Sequence, residues 1–248
     1  MSGVALVTGS SRGIGAATAK LAARRGYAVC VNYLNNEVQA DQVVAEIRAG
    51  GGRAILVQAD TAREDEVATL FERMDLELGP VTALVNNAGI TGKAGRLDSF
   101  GAEAIRRVLE VNVVGALLCS QQAVKRMSTK NGGKGGSIVN ISSLAATLGG
   151  ANQWIPYGAA KGAINSFTVG LAKEVAAEGI RVNAISPGLI NTTIHADAGL
   201  GDRLQKMIPM IPIGRIGTVE ECAEAILWLM SGEAGYMIGS ILSLTGGR

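Results

Sequence analysis

Short β-branched runs alternate with amphipathic stretches of helical period along almost the whole chain, and this alternation limits the fold more than any other feature. Residues 4–8 read as a buried strand and residues 13–24 as a helix; residues 28–32 and 37–49 repeat the pair. Strands at 54–57 and 83–86 flank a helix over about 64–78. One long helix is predicted over 102–128, followed by a Gly-rich turn at 131–136 and a strand at 137–141. The pattern closes with a helix at 157–177, a strand at 181–185, a helix at 219–230 and a strand at 240–244. Strands separated by helices cannot pair as tight hairpins. Each returns by a right-handed crossover and lies parallel to its neighbours. The implied fold is α/β, a doubly wound and mainly parallel sheet covered by helices on both faces. No linker-like stretch or repeat interrupts it, so residues 1–248 read as a single domain.

Composition agrees with a sheet of this kind. Hydrophobic residues make up 48% of the chain but aromatic ones only 4%, so the core must come from Ala, Val, Ile and Leu. A net charge of +2, with no basic block, points away from a nucleic-acid partner. No apolar run approaches the roughly 18 residues of a membrane span. No basic leader precedes the first strand, and Cys30, Cys119 and Cys222 each lie among apolar neighbours as core thiols do. The expected compartment is the cytoplasm, and no metal is expected.

The first strand runs into Thr8-Gly9-Ser10-Ser11-Arg12-Gly13-Ile14-Gly15 and then a helix. A strand-to-helix turn that bends sharply and offers unpaired N–H groups at a helix start suits a pyrophosphate. Gly9 would make the bend, Gly13 would let a ligand approach closely, and Gly15 would let the helix pack on the sheet. The spacing G-x-x-x-G-x-G departs from the common dinucleotide fingerprint. At the end of the second strand, where an acid would hold the ribose of NAD, the chain has Asn32 and Tyr33, with no Asp or Glu before Glu37. A 2′-phosphate would not be repelled there, and Arg12 could reach it. The cofactor expected is NADP(H).

Further along, Tyr157 and Lys161 stand four apart on one helix face. A free phenol has a pKa of about 10. An ammonium beside it favours the phenolate and brings proton transfer closer to neutral pH. A serine from the end of a strand could hold the substrate oxygen meanwhile.

Taken in order, the glycine turn, Asp60, Asn86-Asn87-Ala88-Gly89, Asn112, Ser143, Tyr157-x-x-x-Lys161 and Pro187-Gly188 resemble the short-chain dehydrogenase/reductase family over essentially the whole chain. The resemblance is strongest to the subgroup containing 3-oxoacyl-(acyl-carrier-protein) reductases and glucose dehydrogenases. It implies a Rossmann-type sheet of seven strands and a homotetramer or dimer. It implies that Tyr157 is the general acid in reduction and that Lys161 binds the nicotinamide ribose and lowers the Tyr157 pKa. Ser143 rather than Ser142 would orient the carbonyl, and Asn112 would hold a water that relays protons. Gly9, Ser11, Arg12, Gly13, Ile14, Gly15, Asn32 and Tyr33 would hold the phosphates and adenosine ribose. Asp60 and Thr61 would line the adenine site, Asn87, Ala88 and Gly89 the adenosine ribose, and Pro187, Gly188, Ile190 and Thr192 the nicotinamide. The Ser143-to-Tyr157 gap is about one residue longer than in many relatives, which alters the loop between them.

Substrate choice falls to the loops. Leu144, Leu148, Trp154, Ile155, Ile194, Leu200, Met207 and Met210 are candidates for an apolar cleft, and residues 189–212 for a lid that also carries His195, the only histidine. Lys125, Arg126, Lys130, Lys134 and Lys173 could form a basic patch for an acidic carrier protein. The apolar inventory favours a ketone or 3-oxoacyl reductase, acting on a small molecule or acyl thioester, over a sugar dehydrogenase. A non-catalytic NADP(H) sensor would not need the Tyr, Lys, Ser and Asn set.

Overall fold

A computed structural model describes residues 3–192 and 207–248. Seven parallel strands form one sheet in the order β3-β2-β1-β4-β5-β6-β7. They are β1 (Gly3–Val7), β2 (Tyr27–Tyr33), β3 (Ala54–Gln58), β4 (Ala83–Asn86), β5 (Gly136–Ile141), β6 (Ile180–Pro187) and β7 (Ile241–Leu244). Strand order reverses between β1 and β4, so the crossovers on the two sides diverge and leave a crevice beyond the strands' C-terminal ends.

Strand alternation builds the two core layers. Ala5 and Val7 of β1 face a layer with Val29, Val31, Val43, Ile226 and Leu229, beneath α1 (Gly13–Arg24), α2 (Glu37–Ala49) and α8 (Val219–Met230). Val4 and Leu6 face the opposite layer with Leu70, Phe71, Met74, Ile138 and Ile180, under α3 (Glu64–Glu77), α5 (Gly115–Met127) and α7 (Ile155–Val175). Cys30, Cys119 and Cys222 are buried in these layers, and desolvation pushes the Cys119 and Cys222 thiols up to about 12. A capping box, with Thr218 and Glu221 exchanging side-chain and backbone hydrogen bonds, starts α8. No helix among the described residues is long and apolar enough to cross a membrane.

Two elements differ from the sequence pattern. The long helix expected at 102–128 is broken into α4 (Ala102–Leu109), a π turn at Glu110–Val114, and α5. The Asn112 side chain sits inside this widened turn and donates to the Val108 carbonyl at 2.9 Å. One extra residue per turn does not disturb an apolar stripe enough to be read from periodicity. In the loop before Tyr157, a short helix α6 (Ala145–Leu148) ends in the left-handed Gly149. Four residues are too few to show a period.

Candidate active site

The crevice holds a cavity of about 700 Å³ into which the ends of β1, β2, β4, β5 and β6 all open. Gly9 (φ +60°) and Gly13 (φ +58°) hold left-handed conformations in the first turn. A Cβ on Gly9 would come within 2.9 Å of the Ala88 backbone, whereas one on Gly13 would meet only Thr192, at 3.8 Å. The backbone is thus tight against β4 at Gly9 and open at Gly13. Helix α1 has no side-chain cap and no acid in its first turn, so its N-terminal N–H groups suit an anion entering over Gly13. These residues fit a dinucleotide phosphate. Gly15 alone among the expected cofactor residues does not line the cavity. A Cβ there would strike Asn87 Nδ2 at 2.5 Å and the Gly9 carbonyl at 2.7 Å, so it packs the helix start onto the turn itself.

Two asparagines expected at the cofactor spend their side chains on the scaffold. Asn32 Oδ1 accepts from Gly9 N at 3.1 Å, and its Nδ2 donates to the Ala59 carbonyl at 3.1 Å. It therefore ties the glycine turn to the end of β3 rather than presenting an amide to a ribose. Asn87 Nδ2 donates to the Thr8 and Gly9 carbonyls, both at 2.9 Å, so its amide N–H groups hold the turn while the residue lines the cavity. The rim after β2 is formed by Tyr33, Leu34, Asn35 and Asn36, with Arg12 across from them on the glycine turn. Burial, together with the nearby Glu37 carboxylate, raises the Tyr33 phenol pKa. Asp60 lines the adenine end beside Thr61, its carboxylate held by Arg107 at 2.9 Å and by the Ala62 N–H at 3.0 Å.

At the other end Ser143, Tyr157, Lys161 and Asn112 converge. Ser143 leaves β5 at the start of α6; its Oγ accepts from the Ala145 N–H at 3.1 Å, and its hydroxyl acts on the Tyr157 phenol. Ser142 turns inward, donating to Asn165 Oδ1 at 2.6 Å and to the Lys161 carbonyl at 3.3 Å. Lys161 is 4% exposed; its Nζ donates to the Ile141 carbonyl at 2.7 Å and lies 5.5 Å from the Tyr157 ring centroid. Burial lowers the Lys161 pKa to about 8. Burial also raises the Tyr157 pKa, with the Ser143 hydrogen bond opposing it. Desolvation of the phenol sets the direction, and it is opposite to the lowering by Lys161 that the sequence led us to expect.

Asn112 Nδ2 donates to the Ile90 carbonyl at 2.7 Å and to Val108, while its buried Oδ1 has no hydrogen-bond partner. That oxygen faces Gly89, where a Cβ would lie 2.6 Å from it and 3.5 Å from Lys161 Nζ. Glycine at this position keeps open the gap between Asn112 and Lys161.

Residues 9–248 match the family model described as enoyl-(acyl carrier protein) reductase. The uncharacterized oxidoreductase YgfF of Escherichia coli is 49% identical over 99% of each chain. The cis-4-hydroxycyclohexanecarboxylate dehydrogenase of Sinomonas cyclohexanicum is 42% identical over 98% of this chain and 95% of its own. A blue fluorescent protein from a metagenomic library, solved in complex with NADPH, superposes with a TM-score of 0.90 at 33% identity, covering 99% of this chain and 97% of that one. The chain belongs to the short-chain dehydrogenase/reductase family. It is an oxidoreductase whose fold binds a nicotinamide cofactor.

Pro187, Gly188, Ile190 and Thr192, which the resemblance assigns to the nicotinamide, line the cavity. Ile190 is anchored by a parallel bridge to Gly217. Of the residues expected to form an apolar cleft, Leu144, Leu148, Trp154 and Met207 line the cavity, whereas Ile155 does not and Met210 is exposed. Ile194, His195 and Leu200 lie outside the described residues. Of the five expected patch residues, Arg126 is held by Asp75 at 2.6 Å and Lys130 by Glu178 at 2.7 Å. The Ile141 carbonyl that aims Lys161, the wall residue Gln153 and Arg248 were not anticipated. A backbone acceptor leaves no trace in residue type, and Arg248 follows a strand with nothing beside it to mark a site.

Proposed function

We propose that this protein is an NADP(H)-dependent reductase of ketones or 3-oxoacyl groups, with Tyr157 as its general acid. The observation that carries this reading is the convergence of Ser143, Tyr157 and Asn112 in one cavity on a buried Lys161, whose Nζ is held by the Ile141 carbonyl at 2.7 Å and lies 5.5 Å from the Tyr157 ring centroid. When bound, the nicotinamide supplies or accepts the hydride. Ser143 and Tyr157 both direct hydroxyls at the carbonyl oxygen, so charge developing there is met by two hydrogen bonds. The raised pKa keeps Tyr157 protonated at neutral pH, as an acid must be before it acts. Lys161, held by Ile141, stabilises the phenolate left after proton transfer and contacts the ribose. The unpartnered Asn112 Oδ1 suits a water that returns the proton from solvent.

Preference for NADP(H) is supported by a rim after β2 with no acidic side chain facing the cavity, and by Arg12 opposite it. The NADPH complex of the structural neighbour points the same way. The apolar wall favours a carbonyl compound over a sugar. With Arg126 and Lys130 held in ion pairs, support for docking of a carrier protein is weaker than support for a small molecule or free acyl thioester. The buried, unpaired thiols suit a reducing cytoplasm, and a homotetramer is the assembly we infer.

The test is titration with NADPH and NADH followed by turnover of ketones, oxoacyl thioesters and sugars, on the parent and on Tyr157→Phe. The variant should keep NADPH affinity and lose at least about a thousandfold in kcat. A variant that reduces carbonyls at the parent rate sinks the mechanism. Tight NADPH binding without turnover on any compound favours a sensor.

A further inference from the structure

The charged side chains lining the cavity among the described residues are Arg12, Asp60, Lys161 and Arg248. Three are accounted for: Arg12 belongs to the glycine turn, Asp60 is held by Arg107, and Lys161 is held by the Ile141 carbonyl. Arg248 is half-buried, and among the described residues it has no ion-pair or hydrogen-bond partner. Its position is nevertheless fixed by the backbone before it. The Leu244 carbonyl accepts from Gly188 N at 2.9 Å, and the Gly246 carbonyl accepts from Ile213 N at 3.1 Å. A Cβ on Gly188 would lie 3.0 Å from Thr245 Cα, and one on Gly247 would lie 3.0 Å from Pro212. The segment is therefore clamped between the end of β6 and residues 211–213, and Arg248 lines the same cavity as Ser143, Tyr157, Leu148 and Trp154.

An arginine that lines the cavity and forms no ion pair with another described residue can offer its planar guanidinium to an oxyanion that enters beside it, as a charge-assisted, bidentate partner. We propose that Arg248 is a specificity-determining residue, and that the substrate is a carbonyl compound with an apolar body ending in an oxyanion, a carboxylate or a phosphate. The assignment rests on the reductase reading above and names the substrate class for that same site. The carbonyl is held by Ser143 and Tyr157, the apolar body lies on Leu148 and Trp154, and the anion meets Arg248.

The experiment compares kcat/KM of the parent, Arg248→Ala and Arg248→Lys on three substrates: a six- to eight-carbon oxo-carboxylic acid, its methyl ester, and acetoacetyl-coenzyme A. KM for the cofactor is measured in parallel. Arg248→Ala should lose about ten- to a hundredfold on the oxo acid, stay within about twofold on the ester, and leave the cofactor KM unchanged. Arg248→Lys should fall between. A loss confined to the thioester assigns a phosphate as the oxyanion. Equal effects on acid, ester and thioester, no effect on any of them, or a shifted cofactor KM overturns the assignment while the reductase reading stands. A parent protein inactive on all three with either cofactor overturns both.

Discussion

Lys161 holds its charge against its surroundings, and that tension is measurable. Its folded pKa of about 8 lies below the ordinary 10.5, so between those values the unfolded chain binds the proton more often than the folded one. Stability then rises with pH across that window: the penalty for burying the charge is fully present below about 8 and is relieved toward 10.5. The cofactor-free parent should gain on the order of 3 kcal/mol relative to Lys161→Met between these pH values, by urea denaturation at each pH. Parallel curves for the two proteins would mean that Lys161 is not desolvated. Ketone reduction should hold steady below about pH 8 and decline above it, as the ammonium that stabilises the phenolate is lost. The neighbouring serines separate in the same way. Ser142 is buried with both bonds in the scaffold, so Ser142→Ala should cost about 1–2 kcal/mol of stability and leave kcat within a few-fold. Ser143→Ala should leave stability nearly unchanged and lower kcat about a hundredfold. The reverse pattern would move the catalytic role to Ser142.

At the scale of elements, the distance between Ser143 and Tyr157 is set by how α6 packs on α7. The contact passes over Gly158, where a Cβ would lie 2.9 Å from the Gly149 carbonyl and 3.1 Å from that of Ala145. Gly158→Ala must push α6 outward, carrying Ser143 with it. Turnover should drop about tenfold or more, with cofactor affinity kept, since the glycine turn lies at the other end of the cavity. Full activity in that variant would show that Ser143 is positioned by β5 alone. The strands were legible because each is a β-branched run with its own turn signals; β4 was read to the residue and the others to within two. The residues proposed as catalytic were picked out by their order along the chain, which resembles that of the family, and the fold brings them to one cavity. What stayed hidden was set by distant backbone: Asn32 serves Gly9, Asn87 serves Thr8, and Lys161 serves Ile141 through carbonyls or N–H groups that every residue type shares. The π turn at Asn112 and the short α6 were hidden for another reason, since each spans little more than one turn and a period is recognised only over several.

At the scale of the whole molecule, the sheet is asymmetric in how it ends. β7 closes one side with no outer strand, and its Ile241, Leu242 and Leu244 are only half-buried. Beside it Tyr236 is fully exposed, Ile238 is 43% exposed, and Trp228 of α8 is 39% exposed. A parallel edge strand flanked by exposed large apolar side chains invites a partner, and in an isolated subunit it would be an aggregation hazard that charges or a covering loop normally blunt. Covering it with the same edge of a second copy is self-complementary, so one two-fold contact protects both copies; a second two-fold axis then gives the inferred tetramer. A stable contact of this kind buries roughly 1,200 Å² or more in total, so two central charges should break it. Tyr236→Glu combined with Ile238→Lys should lower the mass seen by sedimentation velocity from tetramer to dimer or monomer, with the far-ultraviolet circular dichroism unchanged. A parent that sediments as a monomer would discard the assembly. A charged variant that remains tetrameric would keep the tetramer and place its contacts elsewhere, and the exposed Leu109, Val114 and Leu117 along α4 and α5 would be the next surface to charge.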